Sequence, residues 1–266
     1  MSRKKYMSVL ENQNFTIIKK YKKNLLSRII RFIKKTFKKL NILKKANAPL
    51  YIYFYFIKSL IKGLLITRLY KKNTFKFIKN IKDILFTNDW TSLNVAFWSH
   101  YININKKNIS VLEIGSWEGL TTNFINWSFN KPSITCVDTW EGSDEHFNSK
   151  YAVYNSEILF DKNTKKLKVN KQKMKSSDFF KKNTKQFDLI YVDGSHFYDD
   201  VLSDCINSNK ILNLYGYLVL DDYFWIFYQN LKDNPASAIN TFLKKYRKNY
   251  QILHIDDQVI LKKIKN

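Results

Sequence analysis

Three short apolar runs, each ending in glycine or an acidic residue, are the feature that most limits how this chain can fold. They are VLEIGSWEG at residues 111–119, ITCVDTW at residues 134–140 and FDLIYVDGSH at residues 187–196. Short apolar runs bounded by turn residues are typical of buried strands. An open parallel sheet holds a nucleoside-bearing cofactor at the carboxyl ends of such strands. The sequence therefore predicts an α/β fold with a mostly parallel sheet.

The first run is followed by a turn that contains Gly115 and Gly119, and then by a helix-like stretch, residues 120–129. Glycine reaches positive φ and lets a ligand approach the backbone without meeting a Cβ atom. Trp117 stands where a dinucleotide-binding fingerprint has its middle glycine, so close contact with a pyrophosphate is disfavoured. This turn therefore argues against NAD.

Asp138 ends the second strand, 19 residues beyond Gly119. An acidic side chain at this place can accept hydrogen bonds from both hydroxyls of a ribose. Trp140 then offers a flat face for an adenine ring. Each residue also has an ordinary structural interpretation, since Asp138 can start a turn and Trp140 can belong to the core. Together with the glycine turn, both favour a cofactor site.

A second group of acidic residues ends the next two strands. Asp193 closes one strand, and Asp221 with Asp222 closes the other after a segment of helical length. On neighbouring strands about 4.8 Å apart the three carboxylates converge, which is unfavourable unless a cation lies among them. Mg²⁺ prefers such oxygen ligands. We therefore expect a divalent cation on Asp193, Asp221 and Asp222, although Asp221 or Asp222 can also cap the loop after the strand.

His196 follows Asp193 by three residues, on the loop that leaves the strand. An imidazole titrates near neutral pH, so it can take a proton from a substrate hydroxyl bound to the same cation. A lone histidine is more often structural, and its role here depends on the spacing from Asp193. His196 is the candidate general base of a direct transfer reaction.

In these segments the sequence resembles the class I S-adenosylmethionine-dependent methyltransferases. LEIGSWEG is similar to their first motif, VDTWEGSDEH to the segment after their second strand, and residues 187–223 to their fourth strand, helix and fifth strand. The resemblance covers residues 89–266. It implies a Rossmann-like, doubly wound sheet of seven strands with an antiparallel last strand.

The resemblance also assigns residues to S-adenosylmethionine. By this resemblance Glu113, Gly115 and Ser116 would face the methionine part, Asp138 the ribose, and Trp140 with Ser177 the adenine. Gly119 would belong to the same cofactor site. The 28-residue spacing from Asp193 to Asp221 resembles that of the metal-assisted catechol and macrolide-sugar O-methyltransferases. Catechol-type members have lysine at the position of His196, whereas sugar-directed members have histidine.

The implied reaction is metal-assisted O-methylation of a hydroxyl on a sugar, glycan precursor or related small molecule. Two other functions stay open. One is metal-independent methylation of RNA or protein, and the other is a membrane-bound scaffold that keeps the fold without catalysis.

Charge divides the chain into two parts. Residues 1–88 hold 23 Lys and Arg but only two acidic residues, Glu11 and Asp83, whereas residues 89–266 are nearly balanced. This asymmetry predicts a basic helical extension, residues 1–88, ahead of the methyltransferase domain, residues 89–266. In residues 17–43 apolar side chains recur at helical intervals between basic pairs, which is typical of a helix on an anionic membrane surface.

Residues 50–70 (LYIYFYFIKSLIKGLLITRLY) are long and apolar, but Lys58 and Lys62 interrupt them. A central lysine costs about 3 kcal/mol on insertion scales, so we expect an interfacial or re-entrant segment. A full membrane span and packing on the domain stay open. Nucleic acid is a further partner for so basic a surface, but phosphate binding does not account for the apolar aromatic run.

Cys136 and Cys205 are the only cysteines, and they lack the spacing of a disulfide framework or a zinc site. The first residues lack the apolar stretch of a signal peptide. We therefore expect a cytoplasmic protein, peripheral at the membrane.

Three further elements are predicted. Residues 89–101 form a helix capped by Asp89, residues 141–170 form a polar loop over the site, and residues 250–255 with 258–264 form an antiparallel hairpin.

Overall fold

The computed structural model describes residues 25–102, 104, 106–142 and 155–266. By internal packing the chain divides into two compact units, residues 1–42 and residues 43–266. The described part of the first unit belongs to helix α1 (Leu25–Lys45), which agrees with the helix predicted for residues 17–43 over the part described. The domain boundary after residue 88 stays a prediction.

The second unit alternates helices and strands. Its described helices are α2 (Leu50–Leu69), α3 (Lys71–Asn80), α4 (Val95–Tyr101), α5 (Leu120–Ser128), α6 (Ser156–Thr164), α7 (Ser176–Lys182), α8 (Tyr198–Ile211) and α9 (Pro235–Tyr246). Its described strands are β1 (Ser110–Ile114), β2 (Ser133–Asp138), β3 (Val169–Lys173), β4 (Phe187–Val192), β5 (Leu212–Leu220), β6 (Tyr250–Ile255) and β7 (Val259–Lys263).

The strands form one sheet in the order β3-β2-β1-β4-β5-β7-β6. Strands β1 to β5 are parallel, and β7 runs antiparallel to both β5 and β6. Strands β1 and β4 are buried along nearly their whole length, because helices cover both faces of a parallel sheet and its central strands need continuous apolar sequence. The predicted Rossmann-like sheet with an antiparallel last strand is confirmed.

The chain order reverses between β1 and β4, which places the topological switch point at the carboxyl ends of these two strands. Ile114 pairs with Val192 at this edge, so Gly115 and Asp193 follow side by side. Gly115 has a φ of +83°, and a Cβ atom on it would lie 1.8 Å from the carbonyl oxygen of Asp193. Only glycine fits at this point of closest approach.

Two sequence expectations were wrong in detail. The helix predicted from residue 89 begins at Val95, because Asp89 accepts hydrogen bonds from the backbone N–H groups of Thr91 and Ser92 and so caps the turn ahead of it. The predicted polar loop, residues 141–170, contains helix α6 and the start of β3. Helix α6 forms there because Phe160 is fully buried in the core. Residues 143–154 lie outside the described residues.

Helix α2 packs on the sheet by one face. Ile52, Phe56, Ser59 and Ile66 are buried, and the Ser59 hydroxyl accepts a hydrogen bond of 2.9 Å from the backbone N–H of Ile255 at the end of β6. By length and composition alone, α2 is also the one described helix that could cross a membrane. Packing on the domain, which the sequence left open, is therefore observed for one side of this helix.

Gly115→Ala tests the close approach of β1 and β4. The added methyl group collides with backbone and also needs a left-handed conformation, so we expect a loss of about 3 kcal/mol or more in the free energy of unfolding. Gly63→Ala is the matched control, since the nearest atom to its added Cβ is 3.7 Å away, in the Phe97 ring. In a helix this change should stabilise by about 0.5–1 kcal/mol. Urea denaturation of both variants measures the difference, and equal effects would contradict the close contact.

Candidate functional site

The turn after β1 is held in shape by Asp138 at the end of β2. The backbone N–H groups of Ser116 and Trp117 each donate to Asp138 Oδ2 at 2.8 Å. The N–H of Trp140 donates to Oδ1 at 2.7 Å. A carboxylate has about four acceptor positions, and three are used here. Asp138 can therefore accept one further hydrogen bond. The sequence predicted that it accepts two, one from each hydroxyl of a ribose.

Glu113 lies under this turn with no exposed surface. Its Oε2 accepts hydrogen bonds from Ser116 Oγ, Thr122 Oγ1 and Cys136 Sγ, at 3.1, 2.5 and 3.3 Å. Its Oε1 has no hydrogen-bond partner among the described residues. Desolvation raises the pKa of Glu113 to about 8, against the lowering effect of these hydrogen bonds. An oxygen so placed can receive a cationic or hydrogen-donating group at the turn.

Trp140 lies within the core. It is 6% exposed, its ring centroid is 4.9 Å from that of Phe160, and Lys171 Nζ lies 4.6 Å from its ring centroid. Its indole N–H donates to the carbonyl of Trp117 at 2.8 Å. Trp140 therefore stabilises the turn after β1 and belongs to the core, which is the structural interpretation of this residue.

The other two predicted cofactor residues are Gly119 and Ser177. Gly119, with a φ of +80°, precedes α5, and a Cβ atom there would come within 2.9 Å of Thr164. Close packing of α6 therefore accounts for this glycine. Ser177 is exposed in the first turn of α7, at the same edge of the sheet.

Asp193, His196 and Asp222 form a compact group at the carboxyl ends of β4 and β5. One ligand atom from each lies within 4.8 Å of the others. His196 Nε2 is 2.9 Å from Asp222 Oδ2 and 4.0 Å from Asp193 Oδ1. Desolvation raises the pKa of Asp193 to about 6, and the charge of Asp222 adds to this effect. The two carboxylates are oxygen donors of the kind that a divalent cation such as Mg²⁺ prefers, and the imidazole lies beside them.

Asp221 turns away from this group. Its Oδ2 accepts from Gln258 Nε2 at 2.7 Å and from the Tyr191 hydroxyl, and its Oδ1 accepts from the N–H of Asp222 at 2.8 Å. Desolvation and the charge of Asp193 raise the pKa of Asp221 well above its ordinary value. The Asp221 carboxylate thus holds the backbone of Asp222 in place. One of its acceptor positions remains, and it could bind the cation that the sequence predicted.

Sequence reasoning missed three residues of this network. The Tyr191 hydroxyl also lies 3.0 Å from Asp193 Oδ2, so it bridges two carboxylates but can donate to only one at a time. The Trp98 indole donates to Gln258 Oε1 at 3.0 Å, and this side chain fixes the orientation of the Gln258 amide. No local pattern relates Trp98 to Gln258, because the two are 160 residues apart.

Asp204 was also missed, although a sequence signal existed. It is 3% exposed and shares the buried face of α8 with Val201, Cys205 and Ser208. Desolvation raises its pKa to about 7, and a hydrogen bond from Ser176 opposes that rise. An acidic residue at an apolar helical position indicates such a buried carboxylate.

The fold is that of a Rossmann-like domain, and acidic residues are concentrated at its switch point. Residues 112–223 match the family described as a methyltransferase domain. This match agrees with the resemblance to the class I S-adenosylmethionine-dependent methyltransferases that the sequence shows. No curated protein matches the chain.

Solved structures share the fold at low sequence identity. The MycE methyltransferase of the mycinamycin biosynthetic pathway, in complex with Mg, SAH and mycinamycin VI, is 13% identical, with a TM-score of 0.52 over 73% of this chain and 55% of that chain. The chain thus spans about half the length of MycE. A second MycE structure, with Mg and SAH, is 12% identical and has a TM-score of 0.51 over 73% and 55%. The O-methyltransferase TomG from Streptomyces achromogenes is 12% identical, with a TM-score of 0.45 over 59% and 73%.

The pKa of Glu113 generates a stability prediction. Its folded-state pKa is raised from an ordinary 4.5 to about 8, so its contribution to stability is fully present below about pH 4.5 and is lost as the pH rises through about 8. Because glutamine does not titrate, Glu113→Gln removes this pH-dependent loss of stability. Between about pH 5 and about pH 8 the melting temperature of the variant should fall less than that of the parent protein.

Differential scanning fluorimetry of the two proteins without ligand measures this difference. Asp193 and Asp204, whose pKa values are raised to about 6 and about 7, titrate in both proteins and largely cancel in the comparison. If the melting temperatures of the two proteins change in parallel with pH, the pKa of Glu113 is not raised in the folded state.

Proposed function

We propose that this protein is an S-adenosylmethionine-dependent O-methyltransferase that acts with a divalent cation, preferably Mg²⁺. The acceptor would be a hydroxyl on a sugar, glycan precursor or related small molecule. One observation carries the proposal. The turn that would hold the methyl donor touches the backbone of Asp193, and the side chain of that same residue belongs to the Asp193, His196 and Asp222 group.

The residues present suit both groups chemically. Glu113 Oε1, buried and without a hydrogen-bond partner among the described residues, suits the cationic methionine part of S-adenosylmethionine. Asp138 retains one acceptor position for a ribose hydroxyl. Asp193 and Asp222 would hold the cation, with Asp221 behind them. MycE supports the substrate class, since its structure contains Mg, SAH and mycinamycin VI.

The chain's own residues would supply proton removal and orientation. A bound divalent cation makes an acceptor hydroxyl more acidic. His196 would take the proton of that hydroxyl as the acceptor oxygen receives the methyl group. Asp222, 2.9 Å from His196 Nε2, would stabilise the resulting imidazolium. The network of Tyr191, Gln258 and Asp221 would keep these groups in place, which matters because positioning supplies much of the rate in two-substrate reactions.

We also propose a cytoplasmic location. Cys136 and Cys205 are both buried and unpaired with each other, and free thiols of this kind suit a reducing compartment.

Binding of S-adenosylmethionine tests the cofactor site. Asp138→Ala should weaken the affinity measured by calorimetry by at least about tenfold, because it removes three charge-assisted hydrogen bonds, two of them from the turn after β1. Asp188→Ala is the matched control. Asp188 accepts comparable hydrogen bonds from Ser110 and Asn213 at the opposite, amino end of the strands.

The control should lower stability and leave the affinity unchanged. Equal affinities of both variants would remove Asp138 from the site. Absence of binding to the parent protein would favour the non-catalytic scaffold.

Metal dependence tests the other half of the proposal. Asp222→Asn should weaken binding of Mg²⁺ or Mn²⁺ at least about tenfold, whereas Asp83→Asn, a carboxylate 87% exposed, should not change it. Methyl transfer to a sugar hydroxyl should stop in EDTA and return with Mg²⁺. Activity that persists in EDTA would favour the metal-independent methylation of RNA or protein.

A further inference from the structure

Helix α2 is apolar on two opposite faces. The face with Ile52, Phe56, Ser59 and Ile66 is buried in the second unit. The other face carries six large apolar side chains that are 49–87% exposed: Leu50, Phe54, Ile57, Ile61, Leu64 and Leu65. Their helical spacing places them in one stripe. A surface helix normally has polar residues on its outer face, so a continuous apolar stripe indicates a binding surface.

Basic side chains border this stripe. Lys58 and Lys62 lie along one flank of α2, and both are exposed. Helix α3 adds four exposed lysines: Lys71, Lys72, Lys76 and Lys79. The sequence has no acidic residue between Glu11 and Asp83. The segment that forms α2 and α3 therefore carries only positive charge.

We propose that the α2 stripe, with the lysines of α2 and α3, is a docking surface for an anionic lipid bilayer. Acyl chains cover the apolar side chains, and anionic headgroups pair with the lysines. A second copy of this surface would bring like charges together. A nucleic acid would pair with the lysines but leave the stripe exposed to water. Both alternatives fit the chemistry of the surface less well than a bilayer does.

The structure also sets the orientation of the helix. The rings of Phe56 and Phe224 lie 5.2 Å apart, and Ile255 donates to the Ser59 hydroxyl in the middle of the helix. Because α2 is held against the domain from Ile52 to Ile66, it could cross a bilayer only by drawing the polar surface of the domain into hydrocarbon, which is costly. The helix therefore lies flat in the headgroup region. This proposal does not depend on the methyltransferase function.

Vesicle flotation of the full chain tests the docking surface. The protein should float with vesicles that contain phosphatidylglycerol, less with pure phosphatidylcholine, and less at high salt. Ile61→Gln combined with Leu64→Gln should lower the partition coefficient at least about tenfold. The matched control combines Leu93→Gln with Ile158→Gln, two residues outside the stripe that are 77% and 64% exposed. The control should float like the parent protein.

A local probe separates this surface from the basic N-terminal residues. An environment-sensitive fluorophore on Ile61→Cys should brighten and shift to the blue with anionic vesicles, and one on Ile158→Cys should not. Labelling is selective because both natural cysteines are buried.

Three results would overturn the proposal. The probe at residue 61 could stay unchanged with vesicles. The parent protein could be a dimer that the Gln variant dissociates without any lipid effect. Resistance of the bound protein to alkaline carbonate would show a membrane span instead.

Discussion

The contact between the turn after β1 and the end of β4 is the constraint on which the site depends. Gly115 has no space for a side chain, because the carbonyl oxygen of Asp193 occupies the place of its Cβ atom. The backbone N–H groups of the same turn are held by Asp138 from the neighbouring strand. Three strand ends are thereby fixed against each other. The proposed donor and cation sites consequently share one rigid edge of the sheet.

This edge concentrates carboxylates in a poorly hydrated region. Desolvation raises the pKa of Glu113 to about 8 and that of Asp193 to about 6, and it raises the pKa of Asp221 well above its ordinary value. Without a cation, such a group is most stable when it is partly protonated. A sulfonium donor and a divalent metal ion would both relieve this electrostatic cost. The unfavourable charge distribution of the protein alone is thus consistent with two positively charged ligands.

Helix α2 has two apolar faces, one buried and one exposed. One face completes the core beside β6, and the hydrogen bond from Ile255 to Ser59 fixes the helix there. Lys58 and Lys62 flank the exposed stripe on the opposite face, and residues 12–82 contain no acidic residue. Because both faces of α2 are apolar, the sequence shows only weak amphipathic periodicity along this helix. The sequence pattern alone therefore left the placement of the helix open.

The sequence by itself determined the sheet, its strand ends and most of the acidic site. Continuous apolar runs produced the central strands, and Asp138, Asp193 and Asp222 lie at or just after the strand ends, so parallel strands bring these residues to one edge. The tertiary structure alone decided that Asp221 faces Gln258 and Tyr191, that Trp140 packs under Phe160, and that residues 156–164 form a helix. These features depend on contacts between residues far apart in the chain. Local periodicity contains no information about such contacts, because it records only which face of each element is buried.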